Sequence, residues 1–308
     1  MKSRPAVRLL LPIVAWLALA GLVASAAPSP DADAVPDARL TAPLAVPANG
    51  EIRVAFLLSP GAEVVDFAGP WGVFEYVFVG QDYRRPFKLY TVAAAKEPVT
   101  VSGGLTVMPN HAFADAPAPD VIVVPAIDLE KLAPSALEWL RAAQADTAVT
   151  MSVCNGSLVL GQAGLLDGKT ATAHHGGYTT LRAEFPKVNV VRGVRYVEDG
   201  KIATAGGLTS GVDLALRVVE RYYGREATLQ TARYLEYQGT GWMHPQSNAE
   251  FARKPAQVPG YSLCPVCEMG VSETTALKTE FERKTHYFCS QWCQDHFAAN
   301  PQRYLDAN

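Results

Sequence analysis

Five cysteines offer two kinds of chemistry. Cys154 stands alone in VTMSVCNGSLVLGQAGLLDG (149–168), at the end of one apolar run and just before Asn155-Gly156-Ser157 and a second run. Cys264, Cys267, Cys289 and Cys293 fall in the last fifty residues as C-x2-C and C-x3-C, with 21 residues between the pairs. A C-x2-C knuckle presents two thiolates from one tight turn. Cysteines four apart on a helix present two more on one face, so the four could close a tetrahedral site. Soft sulfur ligands suit zinc or copper. Disulfide bonding is the alternative, which an oxidising compartment favours. His286 and His296 are spare ligand candidates whose plainer reading is surface or packing, and Tyr287, Phe288, Trp292 and Phe297 supply a mini-core. A module of under fifty residues rarely holds a fold without a metal or a crosslink.

A thiol where a strand turns sharply into a helix is exposed as at a nucleophile elbow. The first turn of a helix over 156–163 favours thiolate over thiol through its unpaired N–H groups. The expectation is therefore an accessible Cys154 with a lowered pKa, and Gly156 would permit the close packing that such a corner requires. The plainer reading of Cys154 is a small buried hydrophobe.

That corner needs a sheet to stand on. IRVAFLL, FKLYTVA, VIVVPA and TAVTMSV are short β-branched runs, separated by stretches with helical spacing such as PSALEWLRAAQA. Near-continuous apolar strands alternating with helices predict an α/β fold, its mainly parallel sheet covered on both faces. Chemistry in such a sheet gathers at the carboxyl ends of the strands. VNVVRGVRYVEDGKIATAGG reads as strand, Asp-Gly turn and strand. A helix begins at Ser210, whose hydroxyl could cap it, with Asp213 three residues on and Val212, Leu216, Val219 and Tyr223 at helical spacing. These patterns place the α/β domain at 51–245, a linker at 246–260 and a small Cys-rich domain at 261–308.

The 308 residues carry 27 basic and 30 acidic side chains, a formal net charge of −3, which argues against the basic face of a nucleic-acid binder. At the N-terminus, Lys2, Arg4 and Arg8 precede an apolar stretch at 9–23 and the small residues Ala24-Ser25-Ala26. That is the pattern of a secretory signal peptide over 1–26. The stretch contains Pro12 and is shorter than the ~20 residues a spanning helix needs. The expectation is an exported, periplasmic protein with no stable membrane insertion after signal cleavage. Residues 27–50, rich in Ala, Pro and Asp, read as a disordered linker.

Four blocks carry a resemblance to a known family: GAEVVDFAGPWGVFE at 61–75, DVIVVPA at 120–126, SVCNGSLVLGQAGLLDGKTATAH at 152–174 and IATAGGLTSGVDLALRVVE at 202–220. Together they resemble the ThiJ/PfpI family of class I glutamine-amidotransferase-like proteins, in the branch of isonitrile hydratases and the amidase-like sensor domains of certain AraC-type regulators. The resemblance implies a parallel-sheet, three-layer, flavodoxin-like domain with no cofactor of its own. It implies Cys154 as the elbow nucleophile and Asp66 as the acidic residue approaching the sulfur, with a helix cap as the alternative for Asp66. His174 matches a histidine that could orient or deprotonate the thiol, and His175 beside it blurs that assignment. Asn155 stands where relatives often carry threonine or histidine; its amide can bind a substrate dipole but cannot act as a base. Relatives commonly show Pro-Gly-Gly where this chain has Pro125-Ala126-Ile127, and the backbone N–H groups of that segment help hold an oxyanion. Trp71 and Phe74 read as helix-to-sheet packing.

CPVCEMGV followed by HYFCSQWCQDHFAANPQRYL resembles a YHS domain, which implies metal binding by Cys264, Cys267, Cys289 and Cys293. Here Cys264 occupies a position often held by aspartate, and Glu268 replaces a usual glycine. The expected function is a cysteine-dependent hydrolase, hydratase or lyase acting on a small molecule, with a metal-binding tail. The alternative is a non-catalytic protein that binds or senses a ligand or heavy metal in the periplasm. A transcriptional regulator fits poorly with a signal peptide and with the lack of a helix-turn-helix pattern after residue 245. The family resemblance leaves a homodimer open, and no stretch identifies an interface.

Overall fold

The structure is a computed structural model that describes residues 42–307; the signal peptide and most of the tether expected before residue 50 lie outside the described residues. The apolar runs form the strands that their composition predicts. β1 is Ile52–Leu57, β2 Phe87–Ala93, β3 His111–Ala112, β4 Val121–Val124, β5 Val149–Ser152, β6 Tyr196–Asp199 and β7 Ile202–Ala205. They make one sheet in the order β6-β7-β5-β4-β1-β2-β3. Every neighbouring pair is parallel except the β6–β7 hairpin. That hairpin turns at Gly200, whose φ of 67° suits glycine.

Helices cover the sheet. α1 (Val64–Glu75) and α5 (Ser210–Tyr234) pack against each other. Trp71 and Phe74 of α1 lie on Phe56 of β1 and Phe87 of β2, each pair at 4.9 Å, as helix-to-sheet packing requires. α2 (Pro134–Gln144) stacks Trp139 on Phe113 at 5.4 Å, over a cluster of Ala55, Tyr90 and Val92. α5 begins at the expected residue, but the expected cap does not form. Ser210 Oγ has no hydrogen-bond partner, and the Asp213 carboxylate instead accepts from Arg195 Nε (2.6 Å), Tyr237 OH (2.9 Å) and Trp242 N–H (3.0 Å). A buried carboxylate gains more from three donors, one of them charged, than from a single amide at a helix end.

Chain direction puts β1 at the topological switch: β2 follows it on one side, and β4 lies on the other. A crevice forms outside the carboxyl ends at such a point. α3 (Gly156–Gln162) starts there, directly after Cys154. A Cβ on Gly156 would stand 2.2 Å from the Val124 carbonyl oxygen and 2.8 Å from that of Pro125, so only glycine lets the elbow lie against the end of β4. Gly156→Ala is expected to destabilise the protein by about 1–3 kcal/mol or more, because the obstacle is backbone that cannot rotate away. Denaturant unfolding checks this; an unshifted midpoint would contradict the close approach.

The tail folds as two hairpins and two helices. β8 (Tyr261–Leu263) pairs with β9 (Gly270–Ser272), and β10 (Leu277–Phe281) with β11 (Lys284–Phe288). α6 (Gln291–Ala299) and α7 (Pro301–Ala307) close them. Phe288, Phe297, Tyr304 and Val266 form its core with Cys264 and Cys293, and Ala183 from α4 (Tyr178–Glu184) of the sheet domain completes it.

Candidate functional site

Four strand ends supply the residues around Cys154. The first is its own, after β5, where Cys154 holds a left-handed φ of 58° that a non-glycine residue adopts only when its surroundings impose it. The Cys154 N–H donates to the Gly206 carbonyl after β7 (2.9 Å), which pins the corner between two strands. Asp66 comes from the first turn of α1, after β1; it is wholly buried, and its Oδ2 accepts from the Ala126 N–H after β4 at 3.0 Å. Among the described residues its other oxygen has no hydrogen-bond partner, and the Glu63 charge and the Cys154 thiol both act on the carboxyl. Asp66 therefore does not cap a helix; it is aimed at the sulfur.

Burial and electrostatics overturn both parts of the expected accessible, acidified thiol, for Cys154 is buried. Burial, then the neighbouring Asp66 charge, push the Cys154 thiol up to about 12, and the backbone N–H groups of Asn155 and Leu208 only partly oppose this. The thiol is not lowered. Desolvation in a residue left 8 % exposed, beside a carboxylate, outweighs the partial charge of a helix only seven residues long. Burial likewise raises Asp66 to about 7, with the nearby Glu63 charge adding to it. The pair therefore rests as thiol plus a carboxyl that is half protonated near neutrality, and it titrates as a unit.

A second expectation changes with it. The Ala126 N–H in the segment that replaces Pro-Gly-Gly is engaged by Asp66. The donors left facing the sulfur are those of Asn155 and Leu208. Leu208, left-handed at φ 43° after the Gly206-Gly207 pair, is a donor beside the sulfur that pattern reading passed over, although its block carries the family resemblance.

His174 and Asn155 stand behind these donors. His174 Nδ1 accepts from the Gly176 N–H (3.1 Å), so that nitrogen is not free to take the thiol proton; burial lowers His174 to about 4 and keeps it neutral. Its ring lies on Gly207, where a Cβ would come within 2.5 Å of it. Asn155 Oδ1 packs on Gly177 with no hydrogen-bond partner, and the residue serves Cys154 through its backbone N–H. A cavity of about 440 Å³ opens elsewhere on the sheet, lined by Leu58, Pro60, Ala93, Val99 and Lys131 among others; it includes neither Cys154 nor Asp66.

The four tail cysteines converge. Their sulfurs all lie within 4.8 Å of one another, with Cys267 to Cys289 at 3.3 Å and Cys289 to Cys293 at 3.5 Å. Tetrahedral zinc–thiolate bonds of ~2.3 Å imply sulfur separations of roughly 3.8 Å, so the donor set fits a thiophilic ion. Hydrogen bonds from the Cys267 and Cys293 thiols push Cys264 below the usual thiol range, so the cluster as a whole gives up a proton readily. One detail differs from expectation: Cys289 precedes α6 rather than riding on it, because Ser290 caps that helix by accepting from the Cys293 N–H at 3.3 Å. His286 packs on Phe297 (4.9 Å) and His296 stacks on Trp292 (3.8 Å), so both histidines serve packing.

With this geometry in view, residues 52–221 match the model of the DJ-1/PfpI family, more than half of the chain. The chain belongs to the DJ-1/PfpI family. Residues 264–308 match the YHS domain model. Over 192 residues the chain is 35 % identical to isonitrile hydratase of Pseudomonas putida, covering 60 % of this chain and 78 % of that protein. It is 27 % identical to the HTH-type transcriptional regulator CdhR of Pseudomonas aeruginosa, covering 58 % of this chain but about half (52 %) of the regulator. The fold is similar to that of a ThiJ/PfpI family protein from Pseudomonas syringae (TM-score 0.53, 27 % identity, 71 % of this chain and 84 % of that one). It is similar also to Drosophila melanogaster DJ-1beta (TM-score 0.52, 20 % identity, 61 % and 100 %). The DJ-1/PfpI domain thus contains the Cys154–Asp66 pair, and the YHS domain the four thiols.

The raised Asp66 has a consequence for stability. A carboxyl whose folded value of about 7 exceeds its ordinary 3.8 contributes stability that is fully present below pH 4 and is lost as pH rises through 7. Asp66→Asn is expected to remove this loss, gaining on the order of 2–4 kcal/mol over wild type at pH 8 and nothing at pH 4. Unfolding curves at the two pH values decide it; equal differences at both would contradict the raised carboxyl.

Proposed function

We propose that this chain is an exported, cysteine-dependent hydratase of small molecules with a polarised terminal carbon, isonitriles foremost, with a tail that binds zinc or copper. The observation that carries the reading is a buried thiol held against a protonatable carboxyl at the elbow. Similarity to isonitrile hydratase over most of that protein's length supports the substrate class. The signal-peptide pattern over 1–26 supports export to the periplasm.

The pair suits a substrate that must gain a proton on carbon. Asp66 as carboxylate takes the thiol proton and, as the acid, delivers it to the isonitrile carbon while the sulfur bonds to that carbon, giving a thioimidate. Water then adds to the same carbon, one of its protons going to nitrogen. The C–S bond breaks, the other proton returns to sulfur, and an N-substituted formamide leaves. Atoms balance as isonitrile plus water. A Cys154 left only 8 % exposed favours slender substrates.

The test is formamide production from cyclohexyl isocyanide by the reduced full-length protein, with Cys154→Ala as control. No formamide above the control would remove the reading. A second reading, non-catalytic ligand binding, is favoured by one observation: the Ala126 N–H is engaged by Asp66 instead of facing a developing oxyanion. Binding of the isocyanide without turnover would support it.

A further inference from the structure

The YHS knuckle packs on the stretch of the DJ-1/PfpI domain that follows His174. Glu268, directly after Cys267, has a left-handed φ of 59° and is 4 % exposed. Its carboxylate takes two bonds from Arg192 (2.9 and 2.7 Å) and one from the Thr179 hydroxyl (2.6 Å). A residue with a Cβ is disfavoured in that conformation, so the position is held by what the side chain reaches. Arg192 also lies over the Tyr178 ring at 4.7 Å. One residue before Cys267, the Val266 carbonyl accepts from the Thr180 hydroxyl at 2.8 Å. The Cys267 carbonyl faces Gly176, where a Cβ would stand 3.2 Å from it. The knuckle thus touches the segment 176–180 at three residues, Gly176, Thr179 and Thr180, and reaches Arg192 beyond it.

The adjoining stretch 174–177 packs behind both donors to the Cys154 sulfur. Gly177 backs the Asn155 side chain, and His174 backs Gly207, the residue before Leu208. Farther along, Arg303 donates to the Ala183 and Glu184 carbonyls (2.5 and 3.0 Å), tying α7 to the other end of α4.

We propose that the four-thiol knuckle controls the Cys154 site: metal bound by Cys264, Cys267, Cys289 and Cys293 fixes the turn 264–268, and Glu268 with Arg192, Thr179 and Thr180 transmits that order to the segment 174–180. The two-state element is the turn. Crosslinked by a metal it keeps Glu268 in its strained, buried conformation. With the metal removed, a module this small loses its crosslink and the grip on 174–180 loosens. The proposal extends the reading of Cys154 as the reacting group, and its test does not depend on turnover.

The experiment measures the alkylation rate of Cys154 by iodoacetamide in the reduced full-length protein, read by mass spectrometry of the peptide carrying that residue. The protein is compared zinc-loaded, stripped by chelator, and reloaded. Amide hydrogen exchange over 174–184 is followed in the same samples. Stripping is expected to raise the Cys154 rate at least about fivefold, the lower end of ordinary coupling energies, and to speed exchange over 174–184 while β1 and β4 stay protected. Reloading reverses both. Glu268→Gln, or the milder Thr180→Val, is expected to keep one zinc per chain, to start from a raised rate, and to respond less to stripping. A rise below about fivefold, no change or a fall on stripping wild type overturns the proposal. So does a Glu268→Gln protein that responds as wild type does. If neither variant folds, the wild-type comparison decides.

Discussion

Cys154→Ala is expected to lower hydration of isonitriles by at least about 10⁴-fold while leaving the unfolding midpoint within the range of a small core substitution. Removing the nucleophile of a covalent route eliminates the route itself, and what remains is whatever binding and backbone dipoles give the uncatalysed reaction. The fold has little at stake at that atom: the strained φ of 58° is imposed by Gly206 and by the packing of Gly156 on β4, not by the sulfur. Asp66→Asn is expected to cost about 10²–10⁴-fold, the usual contribution of a positioned acid or base, because an amide cannot carry the proton from sulfur to carbon. Its rate should also lose the inflection near pH 7 that wild type owes to the raised carboxyl. Formamide release followed from pH 5 to 9 in wild type and both variants provides the measurement. Two outcomes would disprove this assignment: a Cys154→Ala protein that retains activity, or an Asp66→Asn protein with the wild-type pH profile.

The second large effect belongs to the tail. Cys289→Ser is expected to weaken zinc binding by more than about 10²-fold, beyond the cost of losing an outer-shell partner. At limiting zinc it is also expected to open residues 261–307 to proteolysis. Cys289 is an exposed cysteine, so its replacement removes a ligand without cutting a hole in the core. The core it guards is small: Phe288, Phe297, Tyr304 and Val266 around two of the thiols. Structural zinc contributes apparent free energies of about 10–16 kcal/mol in modules of comparable size, so the tail has no reserve to replace it. Competition titration with a chromophoric chelator gives the affinity, and limited proteolysis gives the folded state. Unchanged affinity in Cys289→Ser would mean that three sulfurs suffice, and that the fourth position is open for exchange.

Much of the fold was legible in the sequence. The strands after residue 51 are read from runs such as VIVVPA, the elbow from Cys154-Asn155-Gly156, and the four ligands from C-x2-C and C-x3-C. These signals are local: a buried strand must be apolar along its length, a corner pressed on a carbonyl must be glycine, and a knuckle must place its sulfurs within a turn. Local spacing also suggested the Ser210 cap and put Cys289 on a helix. In both cases a competing partner nearby in space, Arg195 with Asp213 or Ser290 with the Cys293 N–H, decided otherwise.

The sequence by itself determined that a parallel sheet presents one cysteine at a strand end and that a separate four-thiol cluster follows it. Only the tertiary structure decided the protonation of that cysteine. Its desolvation and the charge of Asp66, 88 residues earlier in the chain, are sums over atoms that the fold assembles, and they exceed the local helix-end effect that sequence can see. The same holds for Glu268, which the sequence shows only as a replacement for a usual glycine, until Arg192, 76 residues away in sequence, closes on it at 2.7 Å. Charge interactions depend on distance and burial, which no local pattern encodes.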